Sequence, residues 1–519
     1  MPKKFNITGL CFADEHYMAD VSVKLAQTQK MVEEGDYFII NRPRQYGKTT
    51  TLYSLAEILE KTGQYLVFNI SFEGIGDAIF QDEKLFAKGF LELLSKSIKR
   101  RYPSQAVALL EMASGVTNLS MVSDRITDFL ETIDKKALVL IDEVDKSSNN
   151  QLFVSFLAML RNKYLDRRNS KTFHAVVLAG VHDVKSLKLK IRPDEEQKYN
   201  SPWNIAAEFK VDMNLLPPEI KPMLDDYMAE KGVKMDTKLM AERLFYYTSG
   251  YPFLVSKLCK MMDEDVLPTK EIREWTEQDL EKTVRQLVLE SNTNFETVIK
   301  NLENNPDLYR IVYKMLIDVE FQDYNVHDPI ISMGIMYGII KNGRGIKIHN
   351  KIYEELIYHY MTSKTKSHLS LAEYTIGKDF KLKDNHLNME LVLLKFQAFM
   401  REQYSKKDRD FLERHGRLVF LAFMKPILNG HGYDFKEPQI SEERRLDVSI
   451  TFYQHKYVAE LKIWRGKAAH EEGLTQLVDY LDRLELTEGY LVIFDHTEVK
   501  SWKTEWVDHE GKKIFIVWV

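Results

Sequence analysis

Short apolar runs and longer amphipathic stretches alternate through the first two hundred residues of the chain. Tyr37–Asn41 (YFIIN), Tyr65–Ser71 (YLVFNIS), Ala137–Ile141 (ALVLI) and His174–Ala179 (HAVVLA) are near-continuous apolar segments of strand length. Between them, Thr49–Glu60 sets Leu52, Leu55, Ala56 and Leu59 on one helical stripe. Further helical patterns run near Glu83–Arg100 and over Asn150–Tyr164. Strands that are apolar on both faces and separated by helices predict an α/β fold with a parallel sheet covered on both sides.

From Pro217 to about Asp318 the pattern is helical, with breaks at prolines and glycines, and residues 320–362 read as a small helix–strand module. The polar stretch 362–370 (TSKTKSHLS) reads as a linker. Beyond it the predicted order is helix, helix, strand, strand, helix, strand, without the rhythm of a parallel sheet. The chain shows no internal repeat and no low-complexity segment.

Composition narrows the classes. A length of 519 residues is enough for two to four domains. The hydrophobic share of 44% and charged share of 29% are those of an ordinary globular protein. The net charge of −5 gives no global basic field, so any nucleic-acid contact would be confined to a local cleft. Cys11 and Cys259 are far apart, which excludes a disulfide framework and a cysteine-rich zinc site. The N-terminal stretch lacks the apolar core of a signal peptide. No apolar run approaches the ~20 residues of a membrane span. A cytoplasmic protein without membrane partners is expected.

Residues 39–50 read IINRPRQYGKTT. A phosphate loop needs backbone N–H groups aimed at one point, a lysine for the β/γ phosphates and a hydroxyl for Mg²⁺. Gly47, Lys48 and Thr49 supply these at the mouth of a helix, although Arg42 stands where G-x-x-x-x-G-K-[ST] has its first glycine. Alone, this is also how a lysine at an ordinary helix start looks. The strand ALVLIDEVD adds Asp142 at its tip to hold Mg²⁺, and Glu143 to polarise the attacking water. His182 and Asp183 follow the next strand, as a γ-phosphate sensor would, or as a solvated loop pair would.

RPRQYGKTT, LVLIDEVD, SPWNIAAEF and SGYPFLVSKLC resemble the motifs of bacterial AAA-ATPase-like proteins related to archaeal and STAND-type NTPases, over roughly residues 5–362. In that family the loop also begins R-P-R, which implies that Arg42 belongs to the fold. The resemblance implies a P-loop ATPase domain over residues 1–205, with ATP and Mg²⁺ bound by Arg44, Gln45, Gly47, Lys48, Thr49, Thr50 and Asp142. It further implies a helical lid over 206–300, where Gly250-Tyr251-Pro252 starts a helix facing the nucleotide, and a winged helix over 301–362. The same SGYPF also reads as a helix break with proline in the first turn. Arg161, Arg167, Arg168 and Arg192 are all available as an arginine finger.

A second constellation lies in RRLDVSITFYQHKYVAELKIW (444–464). Two strand patterns flank a polar turn at Gln454–Lys456, which predicts a hairpin. Glu460 and Lys462 leave one face of the second strand, and Leu461 and Ile463 are expected to pack on the other. An even-numbered loop such as Gln454-His455 would bring Asp447 opposite Lys462. Two carboxylates and a lysine so placed bind Mg²⁺ and orient water for phosphodiester hydrolysis. A surface hairpin with ordinary salt bridges has the same letters.

This D-x12-E-L-K hairpin resembles the PD-(D/E)XK nuclease signature, within an α/β restriction-endonuclease-like domain over 385–519 that follows a linker at 363–384. Asp447 and Glu460 would be its metal ligands (Mg²⁺, with Mn²⁺ an alternative), Lys462 its charge stabiliser, and Glu413 and Gln476 supporting groups on the flanking helices. The resemblance implies an ATP-regulated nuclease, acting on DNA in preference to RNA, in defence or mobile-element biology, with self-association left open. The alternative is a signalling or scaffold ATPase whose C-terminal domain binds nucleic acid or protein without cutting.

Overall fold

The computed structural model describes residues 2–144, 151–181, 203–318, 323–325, 327–343, 345–368, 380–382, 384–404, 409–428, 432–435, 448–464, 467–497 and 500–519. The chain divides into two compact units. One comprises Met1–Tyr309 and Asp323–Glu354, the other Arg310–Gln322 and Glu355–Val519.

The first unit begins with α1 (Ser22–Glu33), β1 (Tyr37–Asn41), α2 (Lys48–Lys61), β2 (Tyr65–Ser71), α3 (Glu83–Ile98), α4 (Pro103–Met112), α5 (Leu119–Glu131), β3 (Lys136–Asp142), α6 (Gln151–Leu165) and β4 (Ala175–Gly180). The strands pair in parallel in the order β1-β4-β3-β2, with Tyr37 opposite Val176, Leu138 opposite Ala175 and Tyr65 opposite Lys136. On the free side of β1 a parallel bridge joins Phe38 to Ala207, whose N–H donates to the Tyr37 carbonyl at 2.8 Å. Apart from Asn69 and the residues at their ends, the strands are apolar and largely buried because both of their faces are covered. Phe68, Val139 and Val176 pack with Phe86, Phe90, Phe129 and Phe156 in one core, and α2 buries its predicted stripe of Leu52, Leu55, Ala56 and Leu59. Removing that stripe from water is worth about 1.5–3 kcal/mol for each leucine.

A helical segment follows, with α7 (Pro217–Lys231), α8 (Thr237–Thr248), α9 (Pro252–Met261) and α10 (Glu277–Leu289). Ser249 and Gly250 break α8 from α9 in left-handed backbone, and Pro252 opens α9 at its first position. A Cβ at Gly250 would stand 2.3 Å from the Leu215 carbonyl oxygen, so only glycine fits there. Next come α11 (Thr293–Glu303), α12 (Pro306–Tyr313), α13 (Pro329–Met336), the antiparallel pair β5 (Ile340–Asn342) and β6 (Ile346–Ile348), and α14 (Lys351–His368). The stretch 362–370 was expected to be a linker, but α14 runs through it to His368. Thr362 and Thr365 are buried, and their hydroxyls donate one turn back to the Tyr358 and Met361 carbonyls at 2.9 and 3.1 Å. The helix can therefore bury Thr362 and Thr365 without stranding their hydroxyls.

The second unit holds α15 (Met389–Tyr404), α16 (Arg409–Leu428), β7 (Gly432–Phe435), β8 (Val448–Phe452), β9 (His455–Ile463), α17 (Lys467–Arg483), β10 (Glu488–Phe494), β11 (Thr504–His509) and β12 (Lys512–Trp518). Its sheet is mixed, in the order β11-β12-β10-β9-β8-β7. β8 runs antiparallel to both of its neighbours, β7 and β9, while β9, β10 and β12 are parallel neighbours. α17 connects β9 to β10 and lays Leu474, Leu477, Val478 and Leu481 on Val458, Leu491 and Ile493. On the opposite face Phe494 meets the ring of Phe396, and a Cβ at Gly416 would come within 2.6 Å of the Phe494 ring. Among the described residues, no helix is long and apolar enough to cross a membrane.

Candidate functional site

β1 delivers the loop 42–47 to the carboxyl end of the parallel sheet, where ligands of open α/β sheets bind. The Arg42 N–H still donates to the Gly180 carbonyl at 3.1 Å. Its guanidinium donates to the carbonyls of Asn41 and Val211, both at 2.8 Å, and lies over the Phe209 ring. Burial lowers its pKa, against the opposing pull of Tyr46 and Asp212. Arg42 therefore fastens the loop's entry to the segment 207–211, a structural task in agreement with its expected place in the fold.

Gln45 (φ 57°) and Gly47 (φ 77°) turn the loop through left-handed backbone, and α2 starts at Lys48. The Lys48 side chain is buried, and its Nζ donates to the Arg42 and Pro43 carbonyls at 3.0 and 2.9 Å. Thr49 Oγ1 donates to Asp142 Oδ2 at 2.6 Å, across from the tip of β3. The other oxygen of this buried carboxylate, Oδ1, accepts the Glu143 N–H at 2.9 Å, and Glu143 itself is held at φ 54°. A non-glycine residue in that region at a strand tip is a mark of a constrained site. The Thr50 hydroxyl accepts the Cys11 N–H at 3.3 Å, so here it faces the N-terminal segment. The donor set fits the implied groups. A hydroxyl and a carboxylate are hard oxygens of the kind Mg²⁺ takes, and a helix N-terminus with a lysine suits phosphate.

The outer side of the same loop is held by Tyr251, which the SGYPF motif places toward the nucleotide, and by Asn214, Asn294, His349 and Tyr353, which sequence reading missed. Tyr251 Oη donates to the Arg44 carbonyl at 2.6 Å. Asn294 Nδ2 donates to Gln45 Oε1 at 3.0 Å, and Tyr353 Oη donates to Asn294 Oδ1 at 2.6 Å. The buried Tyr46 hydroxyl bonds to Asn214 Oδ1 and lies 3.1 Å from His349 Nε2. His349 and its partner on the loop are 303 positions apart, a separation that leaves no local pattern to read. Of the arginines considered as fingers, Arg167 lies 3.7 Å over the Tyr164 ring on α6, and no described contact brings Arg161, Arg167 or Arg168 to the loop. His182, Asp183 and Arg192 lie outside the described residues.

In the second unit, Lys462 Nζ stands 2.9 Å from both Glu460 Oε1 and Gln476 Oε1. Glu460 is 2% exposed on β9, opposite Leu491 of β10. Lys462 is opposite Ile493 and passes under α17, where a Cβ at Gly473 would lie 3.3 Å from its Cγ. The two charges share the α17 face, as the spacing of two requires. Leu461 is buried as expected, but Ile463 is 46% exposed because β9 ends there and the apolar cover ends with it. The hairpin turn also differs from expectation. Phe452 pairs with His455, so the two-residue loop is Tyr453-Gln454, with Tyr453 at φ 53°. Asp447 lies outside the described residues, and Glu413 falls on α16 with its side chain outside them. Among the described residues, no cluster of three or more His, Cys, Asp or Glu is placed to hold a metal ion.

A parallel sheet whose first strand feeds Gly-Lys-Thr into a helix, with an aspartate meeting that threonine from another strand tip, defines a P-loop nucleotide-binding fold. The AAA-like domain family model matches residues 10–353, more than half of the chain, and the chain belongs to this family. Among solved structures it is similar to the Walker-type ATPase PABY2304 of Pyrococcus abyssi, at 11% identity and TM-score 0.45, over 68% of this chain and 99% of that one. It is also similar to the ORC2 protein of Aeropyrum pernix in its ADPNP–ADP complexes (14%, TM-score 0.33, 68% and 96%). The RuvB Holliday junction branch migration motor of Thermotoga maritima is a further likeness (13%, TM-score 0.35, 69% and 97%). No curated protein matches the chain.

Proposed function

We propose that this AAA-like protein binds and hydrolyses ATP through the loop 42–50 and couples that cycle to a C-terminal metal-dependent PD-(D/E)XK nuclease acting on DNA. The ATPase half is carried by the 2.6 Å contact of Thr49 with Asp142, which joins the phosphate loop to the acidic strand tip. The phosphates would lie at the N-terminus of α2, with Lys48 released from the Arg42 and Pro43 carbonyls to reach them. Thr49 and Asp142 would hold Mg²⁺, which neutralises charge on the transferring phosphoryl group. Glu143 would orient the attacking water.

The nuclease half is supported by the buried Glu460 beside Lys462 and Gln476 on one sheet face. A carboxylate buried on an apolar strand carries a large desolvation cost, and an active site is one reason to bear it. Glu460 with Asp447 would hold the metal, and Lys462 would stabilise charge on the phosphate in flight. Residues 206–300 would act as the lid and 301–362 as a winged helix that helps to engage DNA. With its two free cysteines the protein suits a reducing cytoplasm.

The test is to incubate the purified full-length protein with labelled single- and double-stranded DNA and RNA, with and without ATP and with Mg²⁺ or Mn²⁺, while following phosphate release. Cleavage that needs Glu460 and phosphate release that needs Lys48 are expected. Nucleic acid bound but never cut, with phosphate release intact, would replace the nuclease by a binding-only domain.

A further inference from the structure

The phosphate loop carries Arg-Pro where a glycine would ease its turn, and two of its residues are in left-handed backbone. Each residue from Pro43 to Tyr46 nevertheless has a partner from the segment 250–353. Pro43 lies against Gly338, where a Cβ would come within 2.7 Å of the proline ring. The Arg44 carbonyl takes the Tyr251 hydroxyl, the Gln45 amide takes Asn294, and the Tyr46 hydroxyl meets His349. The contacts are directional. Asn350 Nδ2 lies 3.3 Å from His349 Nδ1, which makes Nδ1 the acceptor and leaves the proton on Nε2, facing Tyr46. Tyr46 then accepts from His349 and donates to Asn214. Tyr46 and His349 are both buried, so this line of bonds is shielded from water.

We propose that Tyr46 and His349 are positioning residues for the nucleotide, fixing the backbone of residues 43–47 in the phosphate-receiving shape before any ligand arrives. The inference deepens the nucleotide-binding reading above and rests on it for the ligand. The phosphate contacts belong to Gly47, Lys48 and Thr49. What Tyr46 and His349 supply is a loop that does not have to be ordered on binding, and preorganisation of this kind appears directly in affinity. Because His349 sits between the β5–β6 hairpin and α14, the loop's shape is tied to that module rather than to the sheet alone.

The experiment compares Tyr46→Phe, His349→Leu and His349→Gln with the unaltered full-length protein. Two readouts are taken: affinity for a fluorescent ATP analogue, and hydrogen exchange of amides 44–48 without nucleotide. Tyr46→Phe removes the hydroxyl and His349→Leu removes its donor, and each is expected to weaken affinity about tenfold, the effect of one lost buried hydrogen bond. Both should speed exchange at 44–48 while amides 137–141 of β3 keep their protection. Glutamine restores an N–H close to the place of Nε2, so His349→Gln should return both readouts to within about twofold of the unaltered protein. Affinity and loop exchange unchanged in the phenylalanine and leucine variants would overturn the proposal. So would loss of protection throughout the unit, with glutamine no better than leucine. If the unaltered protein does not bind the analogue, the nucleotide reading fails, and the exchange of 44–48 alone decides whether Tyr46 and His349 hold the loop.

Discussion

Lys48 Nζ donates to the Pro43 carbonyl at 2.9 Å, closing the phosphate loop on itself with the group that should reach the phosphates. Lys48 Nζ satisfies two loop carbonyls, and on the proposed function it would exchange them for phosphate oxygens when nucleotide binds. Lys48→Ala should therefore abolish measurable ATP binding and also lower stability, by about 1–3 kcal/mol for the carbonyls left unpaired. Calorimetry and thermal unfolding read the two effects. ATP affinity equal to that of the unaltered protein would remove Lys48 from the site.

Glu143 and Asp142 should separate by role. Asp142 accepts the Thr49 hydroxyl, whereas Glu143 stands one position beyond it in left-handed backbone. Glu143→Gln keeps the side chain's shape while removing the charge that would polarise water in the proposed reaction. It should bind ATP with unchanged affinity and release phosphate at least about a hundredfold more slowly, the usual scale for losing a general base. Asp142→Asn should weaken Mg²⁺-dependent binding itself. Phosphate release from Glu143→Gln at the ordinary rate would move the water-orienting role elsewhere.

The elements that were legible in the sequence are those set by local rules. Tyr37–Asn41 and Tyr65–Ser71 are strands with the expected bounds, and Asp142 meets Thr49 as the two motifs imply. What was not legible depends on distant partners. Nothing around His349 marks it as a neighbour of Tyr46, because the pairing exists only once α14 and the β5–β6 hairpin are in place. The stretch 362–368 looks like a linker from its serines, threonines and lysines, yet Thr362 and Thr365 bond their own helix and face inward. The turn of the β8–β9 hairpin is displaced because Tyr453 takes a left-handed conformation usually left to glycine or asparagine.

Burial pushes the His349 imidazole from its ordinary 6.5 down to about 3, with the charge of Lys341 acting in the same direction. Above about pH 6.5 the ring is neutral in both folded and unfolded chains, and it costs nothing. Between pH 6.5 and 3 the unfolded chain takes up a proton that the folded one refuses, so stability falls as the pH falls. The slope from this group approaches about 1.4 kcal/mol per pH unit. Glutamine does not titrate, so unfolding of His349→Gln should lack this part of the acid loss. Denaturant titrations at pH 7 and pH 5 should show the stability difference between the two proteins shifting by about 2 kcal/mol in favour of the variant at pH 5. Other titrating groups act alike in both proteins and cancel. An identical difference at both pH values would mean that His349 is protonated within the fold.

Lys462, equidistant at 2.9 Å from Glu460 and Gln476, gives the second unit its own test. Glu460 belongs to the α17 face of the sheet, and the register of β8 with β9 runs as far as Val448 opposite Ala459. Continued by one position, that register would pair Asp447 with Glu460. We predict that a structure with Mn²⁺ bound finds both carboxylates on the ion, with Lys462 beside it. Asp447→Ala and Glu460→Gln should each remove Mg²⁺- or Mn²⁺-dependent cleavage of DNA and leave ATP affinity untouched, since the proposed ATP contacts are drawn from residues 42–50 and Asp142. Lys462→Ala should still bind the metal but cleave about a hundredfold more slowly, because in the proposed site it would contribute charge to the transition state and no ligand to the ion. The variants have to be read together. Loss of cleavage and metal binding in the two carboxylate variants, with only slowed cleavage in the lysine variant, is the pattern of a metal nuclease. Equal loss in all three, accompanied by a lower melting temperature, would instead make Glu460–Lys462 a buried structural pair, whose breaking leaves a charge without its partner.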